Sequence, residues 1–292
     1  MVNLTEYHDW LIELGRSGKT IMAYLGDLYQ FGAWFAAHNG DDLEPRKLTA
    51  IDWRDYRQFL LAEKFSSSTI NRKLAAIQSY ATWCIKAQGL EYNPLDGARG
   101  IRKVRQAPHW LDRREQGAIL RELERGRLAA KTDNARLLAL RNQVIVLVML
   151  NTGLRVSELC ALVWGDVVIN DRSGLVIVRD GKGSKSREVP LNLTARNALV
   201  SWNKKENLGF VQDQVFSITP RSIQIALAEI GHRAHVDLNP HKLRHTFAKS
   251  LVDAGVSLDR VAQLLGHDRL ETTILYTTPS SKDLERDVER LD

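Results

Sequence analysis

Between His241 and Tyr276 the sequence places imidazoles at His241 and His267, a guanidinium at Arg244 and a phenol at Tyr276. Helix-turn-helix lengths separate them: an apolar run through Leu251, Val252 and Ala254, a turn at Gly255, then a short helix closing on Leu264-Leu265-Gly266-His267. Such a segment can bring these groups to one pocket. A guanidinium offers a planar fork of donors to phosphate oxygens, imidazoles donate or shuttle protons near neutral pH, and a phenol supplies an oxygen nucleophile. That combination is phosphate chemistry.

A second cluster lies upstream at Thr152-Gly153-Leu154-Arg155-Val156-Ser157-Glu158-Leu159. Arg155 follows an apolar helix and a glycine turn and starts another helix, so its charge needs a partner. Glu158 one turn along, or an incoming phosphate, could supply it. Lys182 sits between Gly181 and Gly183 at a hairpin tip, where a lysine is either simply exposed or able to approach a ligand closely. The pairs His232/His235 and His241/His245 could be read as zinc ligands. No His-Glu-x-x-His arrangement follows, no cysteine is near, and Arg244 would put a fixed positive charge beside the ion, so no metal is expected.

The elements that must position these residues fall into two groups. Residues 1–97 read as helices only: Leu4 to Leu14, Thr20 to His38, Asp52 to Glu63, and one opening at Ser67-Ser68-Thr69 and running to about Gly89. They make a four-helix bundle with an aromatic core. Lys19, Thr20, Ser68, Thr69, Asn71, Arg72 and Lys73 cluster at its helix starts, where N–H groups and side chains suit a phosphate backbone or are merely solvated. A basic linker over 98–109, with Arg102, Lys103 and Arg105, either tracks a nucleic-acid backbone or is a solvated hinge.

From 110 onward the pattern is Asp112 to Glu124 as helix, Arg127 to Asn134 as exposed loop, and Asn134 to Leu150 as a helix apolar almost all round. Strand-period segments at Val167–Ile169, Gly174–Val178 and Arg187–Leu191 suggest a small antiparallel sheet. Helices follow at Thr194–Asn207 and Pro220–Ala234, and a tail helix at 281–291 has Leu284, Val288 and Leu291 on one face. The fold class is therefore mainly α with a small antiparallel β-sheet (α+β).

At 292 residues, 44% hydrophobic and 26% charged, the chain has room for two cores and no apolar run of membrane-spanning length. No signal peptide is evident at Met1, so a cytoplasmic protein is expected, with Cys84 and Cys160 as small core residues. The net charge of +6 permits a polyanionic partner.

With Arg155, Lys182, His241, Arg244, His267 and Tyr276 in this order, the sequence resembles the tyrosine recombinase (phage integrase) family, in layout most like its Xer-type and transposon-borne members. The matching motifs are Thr152 to Leu159, Gly181-Lys182-Gly183, His241-x-x-Arg244-His245-Thr246-Phe247-Ala248, Leu264-Leu265-Gly266-His267 and Tyr276. Each is weak alone; five in order, over nearly the full length, are specific.

The resemblance implies a clamp around duplex DNA, with residues 1–97 as core-binding domain and 110–292 as catalytic domain. Tyr276 then looks like the nucleophile that forms a 3′-phosphotyrosyl link. Arg155, Arg244 and His267 resemble the donors to the non-bridging oxygens, His241 the residue sharing the tyrosine proton, Lys182 the general acid for the departing 5′-oxygen, and Glu158 the residue orienting the pocket from behind. No cofactor is implied, because the phosphotyrosine conserves the bond energy.

The implied partner is double-stranded DNA with inverted half-sites, bound by a tetramer whose tail helix docks on a neighbouring subunit. The arm-binding domain of lambda-type integrases is not expected. The alternatives are a type IB topoisomerase-like relaxing enzyme and a catalytically silent DNA-binding protein of the same fold.

Overall fold

The computed structural model describes residues 4–88, 92–102, 108–179, 186–206, 212–267, 270–277 and 288–289. The chain divides into two units, Met1–Arg105 and Gln106–Asp292.

In the first unit, α1 (Thr5–Glu13), α2 (Gly18–Asn39), α3 (Ala50–Ala62) and α4 (Ser67–Gln88) form the bundle that the periodicity predicts. Local chemistry sets their ends. Ser17 caps α2 by accepting the Thr20 N–H, Gly40 ends it at φ 75°, and Thr49 with Asp52 forms a capping box on α3. Tyr7, Phe31, Phe35, Tyr56 and Tyr80 fill the interior. Two large apolar side chains, Leu14 and Phe59, are exposed: Leu14 lies just past the end of α1, and Phe59 shows one side to solvent while stacking near Tyr56.

Two residues expected to face DNA are used inside this unit instead. Lys73 is only 3% exposed and donates to Asp27 Oδ1 at 3.2 Å and to Gln30. It lies on the α4 face turned toward α2, because residue 73 follows Ile70 and precedes Leu74 and Ile77 on the apolar stripe. Asn71 clamps the chain beyond the bundle: it donates to the Ile101 carbonyl and accepts the Ile101 N–H, both at 2.8 Å. Gln78 donates to the Ala98 carbonyl at 3.0 Å. Residues 98–101, expected as free linker, are thus fastened to α4.

The second unit contains α5 (Arg113–Ala129), α6 (Asp133–Thr152), α7 (Val156–Ala161), β1 (Val167–Ile169), β2 (Gly174–Arg179), β3 (Ser186–Pro190), α8 (Leu193–Glu206), α9 (Pro220–Ala234), α10 (Pro240–Asp253), α11 (Leu258–Leu265) and α12 (Glu271–Ile274). The strands form one antiparallel sheet in the order β1-β2-β3, with Val176 opposite both Val167 and Val189. α6 packs against α5, α8 and α10. Its second half is buried around Val144 to Met149, whereas Leu138 in its first half is 40% exposed, so the helix is central at one end only.

The loop expected over Arg127 to Asn134 shrinks to 130–132. α5 continues to Ala129 and α6 starts at Asp133, capped by Thr132. The polarity read there as loop is the solvated side of two helix ends, supported by the Arg127–Glu124 pair. α12 was not foreseen. The tail helix at 281–291 lies outside the described residues except for Val288 and Glu289, as do Lys103, Arg105 and Lys182. Among the described residues no helix is long and apolar enough to cross a membrane.

The buried Asp27 carboxylate also pairs with Arg72, so it neutralises cations that the bundle would otherwise hold unpaired. Asp27→Asn should destabilise the protein by roughly 3–5 kcal/mol, while adding Lys73→Met should recover most of the loss. Denaturant unfolding followed by tryptophan fluorescence checks this; equal stability of Asp27→Asn and the parent would refute it.

Candidate active site

The candidate residues of the second unit meet where several helices end. α6 stops at Gly153, whose φ of 63° suits glycine and where an added Cβ would lie 2.4 Å from the Phe247 ring. This turn aims the Gly153 carbonyl at Arg244 Nη1, 2.6 Å away. The next residue but one, Arg155, is the N-cap of α7, and its N–H donates to Glu158 Oε2 at 2.7 Å. α11 ends at Gly266, again left-handed at φ 64°.

Its last carbonyls are the centre of the site. Leu264 accepts from Arg187 Nε at 2.9 Å, Leu265 from Arg244 Nη2 at 2.5 Å, and Gly266 from Arg155 Nη2 at 2.9 Å. A helix C-terminus leaves its final carbonyls without intrahelical partners and carries partial negative charge, so it is a natural seat for guanidiniums.

Glu158 completes the cage. It accepts from Arg155 Nη1 at 2.7 Å and takes both ends of the Arg187 fork at 3.0 and 2.8 Å. Burial alone would raise its pKa, but the bonds from Arg187 and Arg155 outweigh that and hold the carboxyl down at about 2. Arg244 is 5% exposed, and burial, helped by Arg155, brings its pKa down to about 10, so it stays cationic at neutral pH. Arg155 is the exposed member, with 43% of its side-chain surface free.

Tyr276 follows α12 and is buried to 2% exposure among Ala248, Val261 and Leu265. Its hydroxyl is 2.8 Å from Nδ1 of His245. The His267 ring lies nearly parallel to it, at 6.5 Å and 10°, and is held by Thr273 Oγ1 at 2.9 Å. Burial raises the Tyr276 pKa, with Arg244 pulling the other way. Burial first, then neighbouring cations and imidazoles, lowers His245 and His267 to about 4. Both rings are therefore neutral at pH 7, and the phenol is protonated.

The structure brings Arg155, Glu158, Arg244, His267 and Tyr276 together as expected by position. His241 is exposed on the turn before His245, with their rings 6.4 Å apart, and the hydrogen bond to the tyrosine hydroxyl is made by His245 instead. Arg187, His245 and Thr273 were overlooked as site residues. His245 had a visible signal, since it lies on the His241 face one turn on; Arg187 had none beyond its charge in a strand. Among the described residues no cluster of His, Cys, Asp or Glu is arranged to hold a metal ion.

In the first unit, Lys19, Ser68, Arg72 and Arg102 are exposed. Thr20 and Thr69 are half-buried, and their hydroxyls pair with Ser17 and Ser66 at the helix starts.

Comparison with known proteins identifies the family and the fold. Residues 118–283 match the phage integrase family, and residues 4–88 match the phage integrase N-terminal SAM-like domain. The tyrosine recombinase XerC of Xanthomonas axonopodis pv. citri (strain 306) is 32% identical over 294 residues, covering 95% of this chain and 92% of that protein. The XerC of Pediococcus pentosaceus is 29% identical over 288 residues, covering 94% and 92%. Among solved structures, XerH site-specific recombinase bound to palindromic difH substrate superposes with a TM-score of 0.74 at 20% identity, covering 92% of this chain and 78% of that one. The Tn1549 transposon integrase bound to a circular intermediate DNA gives 0.71 at 16%, covering 98% of each.

The two depressed imidazoles predict a pH dependence of stability. An unfolded histidine titrates near 6.5 and these two near 4, so between those values the unfolded chain binds more protons. Their contribution is complete above pH 6.5 and lost as pH falls toward 4. Melting temperatures across that window should fall more steeply for the parent than for His245→Gln/His267→Gln; parallel curves would contradict the assignment.

Proposed function

The chain belongs to the phage integrase family, and from that premise we infer that it is a site-specific DNA recombinase, cutting and rejoining strands through a 3′-phosphotyrosyl intermediate and a Holliday junction. One observation carries the reading. A single unit gathers the Tyr276 phenol, the His245 and His267 imidazoles and the Arg155 and Arg244 guanidiniums around the C-terminal end of α11.

In the proposed reaction the Tyr276 oxygen attacks the scissile phosphorus as the bond to the 5′-oxygen breaks. Arg155, Arg244 and His267 hold the non-bridging oxygens, and Lys182 protonates the departing 5′-oxygen. The tyrosine proton passes to the imidazole pair of His245 and His241. At rest this transfer is steeply uphill. Burial holds the phenol above its ordinary value and the imidazole it faces down at about 4, so at rest the proton stays on the phenol. A bound phosphodiester changes that, because its negative charge favours the protonated imidazoles while bond formation to phosphorus acidifies the phenol.

The bundle, with the linker, is the remainder of the DNA site. Residues 1–97 act as the core-binding domain and 110–292 as the catalytic domain, joined through 98–109. Lys19, Thr20, Ser68, Thr69, Arg72 and Arg102 are the candidate backbone contacts, with Lys103 and Arg105 beyond the described residues. Lys73 and Asn71 support that surface from within. A tetramer on inverted half-sites, its subunits linked through 281–291, and a cytoplasmic location complete the reading.

The decisive experiment is strand cleavage on a nicked suicide substrate, with half-sites first located by footprinting the DNA that flanks the gene. A covalent adduct should form and vanish in Tyr276→Phe. Arg155→Ala or Arg244→Ala should slow cleavage by roughly 10²–10³, the usual loss for one preorganised donor. An adduct that survives Tyr276→Phe would sink the reading, and relaxation of a plasmid without half-sites at substoichiometric enzyme would favour a topoisomerase.

A further inference from the structure

Arg187 stands second in β3 and reaches the base of the active site with only 15% of its side-chain surface exposed. Its Nη1 and Nη2 engage the two Glu158 oxygens at 3.0 and 2.8 Å, and its Nε is fixed to the Leu264 carbonyl at 2.9 Å. Fork-to-fork pairing of this kind is the strongest geometry open to a guanidinium and a carboxylate. Arg155 meets the same carboxylate through a single side-chain bond, Nη1 to Oε1 at 2.7 Å. Its Nη2 goes to the Gly266 carbonyl.

This division matters because among the described residues Glu158 is the carboxylate that lies within 4.0 Å of all three arginines of the site. Left alone with Arg155, it would offer both oxygens to that fork. Arg155 would then be turned into the cage, and its charge would be cancelled where a phosphate must bind. The packing is built for Arg187. A Cβ on Gly266 would lie 2.8 Å from its Nη1.

We propose that Arg187 is a positioning residue for strand cleavage: by occupying both oxygens of Glu158 it leaves Arg155 charged and turned toward the scissile phosphate. The inference rests on the recombinase reading, under which Arg155 is a phosphate donor. It differs from a purely structural role in one consequence. If Arg187 acts through Glu158, its loss should matter little once the Glu158 charge is gone.

The test is a mutant cycle of Arg187→Gln, Glu158→Gln and the double variant, in the full chain. Single-turnover cleavage of the nicked half-site substrate, DNA affinity by gel shift and melting temperature are measured for each. Arg187→Gln should slow cleavage by roughly 10- to 100-fold, the weight of bonds to a charged group, with affinity changed by less than about threefold. The double variant should cleave several-fold faster than Arg187→Gln and within about threefold of Glu158→Gln.

A double variant slower than both single variants, or an Arg187→Gln rate within about threefold of the parent, would overturn the proposal. If Arg187→Gln does not fold, the double variant, which removes both charges of the fork-to-fork pair, is compared with Glu158→Gln alone, and a further loss above about tenfold is equally decisive. Failure of the parent itself to form an adduct would refute the recombinase reading instead.

Discussion

Three guanidiniums in one half-buried pocket repel each other, and the structure depends on how that repulsion is met. Two unit charges about 5 Å apart interact by roughly 3 kcal/mol at the effective dielectric of a protein surface. One carboxylate, Glu158, cannot neutralise three cations. The remainder comes from backbone carbonyls: Leu264, Leu265 and Gly266 at the end of α11, and Gly153 at the end of α6. Each bond to a charged donor contributes about 1.5–3 kcal/mol. Carbonyl dipoles hold the cations without cancelling their charge, so the pocket keeps an excess of positive potential for an anion to meet.

That solution explains why the fold is arranged as it is. An α-helix exposes free carbonyls only in its last turn, so the site must be built from helix ends. Both ends pass through left-handed glycines, Gly153 and Gly266, and at both a Cβ would strike a side chain of the site or its immediate support, Phe247 or Arg187. The sheet contributes Arg187 from the edge strand β3. α10 contributes Arg244 and, on adjoining faces, the His245 that meets Tyr276. Preorganised donors of this kind need no rearrangement when charge develops on a reacting phosphate.

Much of this was legible in the sequence, for physical reasons that differ by residue. Thr219-Pro220 announces a helix start, and α9 begins there; Gly153 and Gly266 announce stops, and α6 and α11 end there. What a motif match cannot resolve is which of two histidines one helical turn apart meets a partner from elsewhere, and so the resemblance favoured His241 where His245 makes the bond. Polarity also misleads: the solvated ends of α5 and α6 looked like loop, and Lys73, charged and therefore expected outside, lies at a position whose buried counter-charge, Asp27, is 46 residues away. Arg187 gave no signal because a strand alternates, and an arginine in it reads as the solvent-facing side unless its partner is known.

The same excess of positive charge governs where the Tyr276 proton rests. Without an anion, burial and the cations keep His245 and His267 neutral at pH 7, and the Tyr276 proton has nowhere favourable to go. On the proposed reading, the phosphodiester supplies the missing negative charge, and so completes the electrostatics of the pocket as well as being its substrate. An imidazole beside an anion accepts a proton more readily, and a phenol in the act of bonding to phosphorus gives one up more readily. A DNA strand seated on the wrong phosphate, out of reach of Arg155 and Arg244, brings neither change. Selectivity for the cleavage position thus follows in part from the charge balance that holds the empty pocket together, before any base is read.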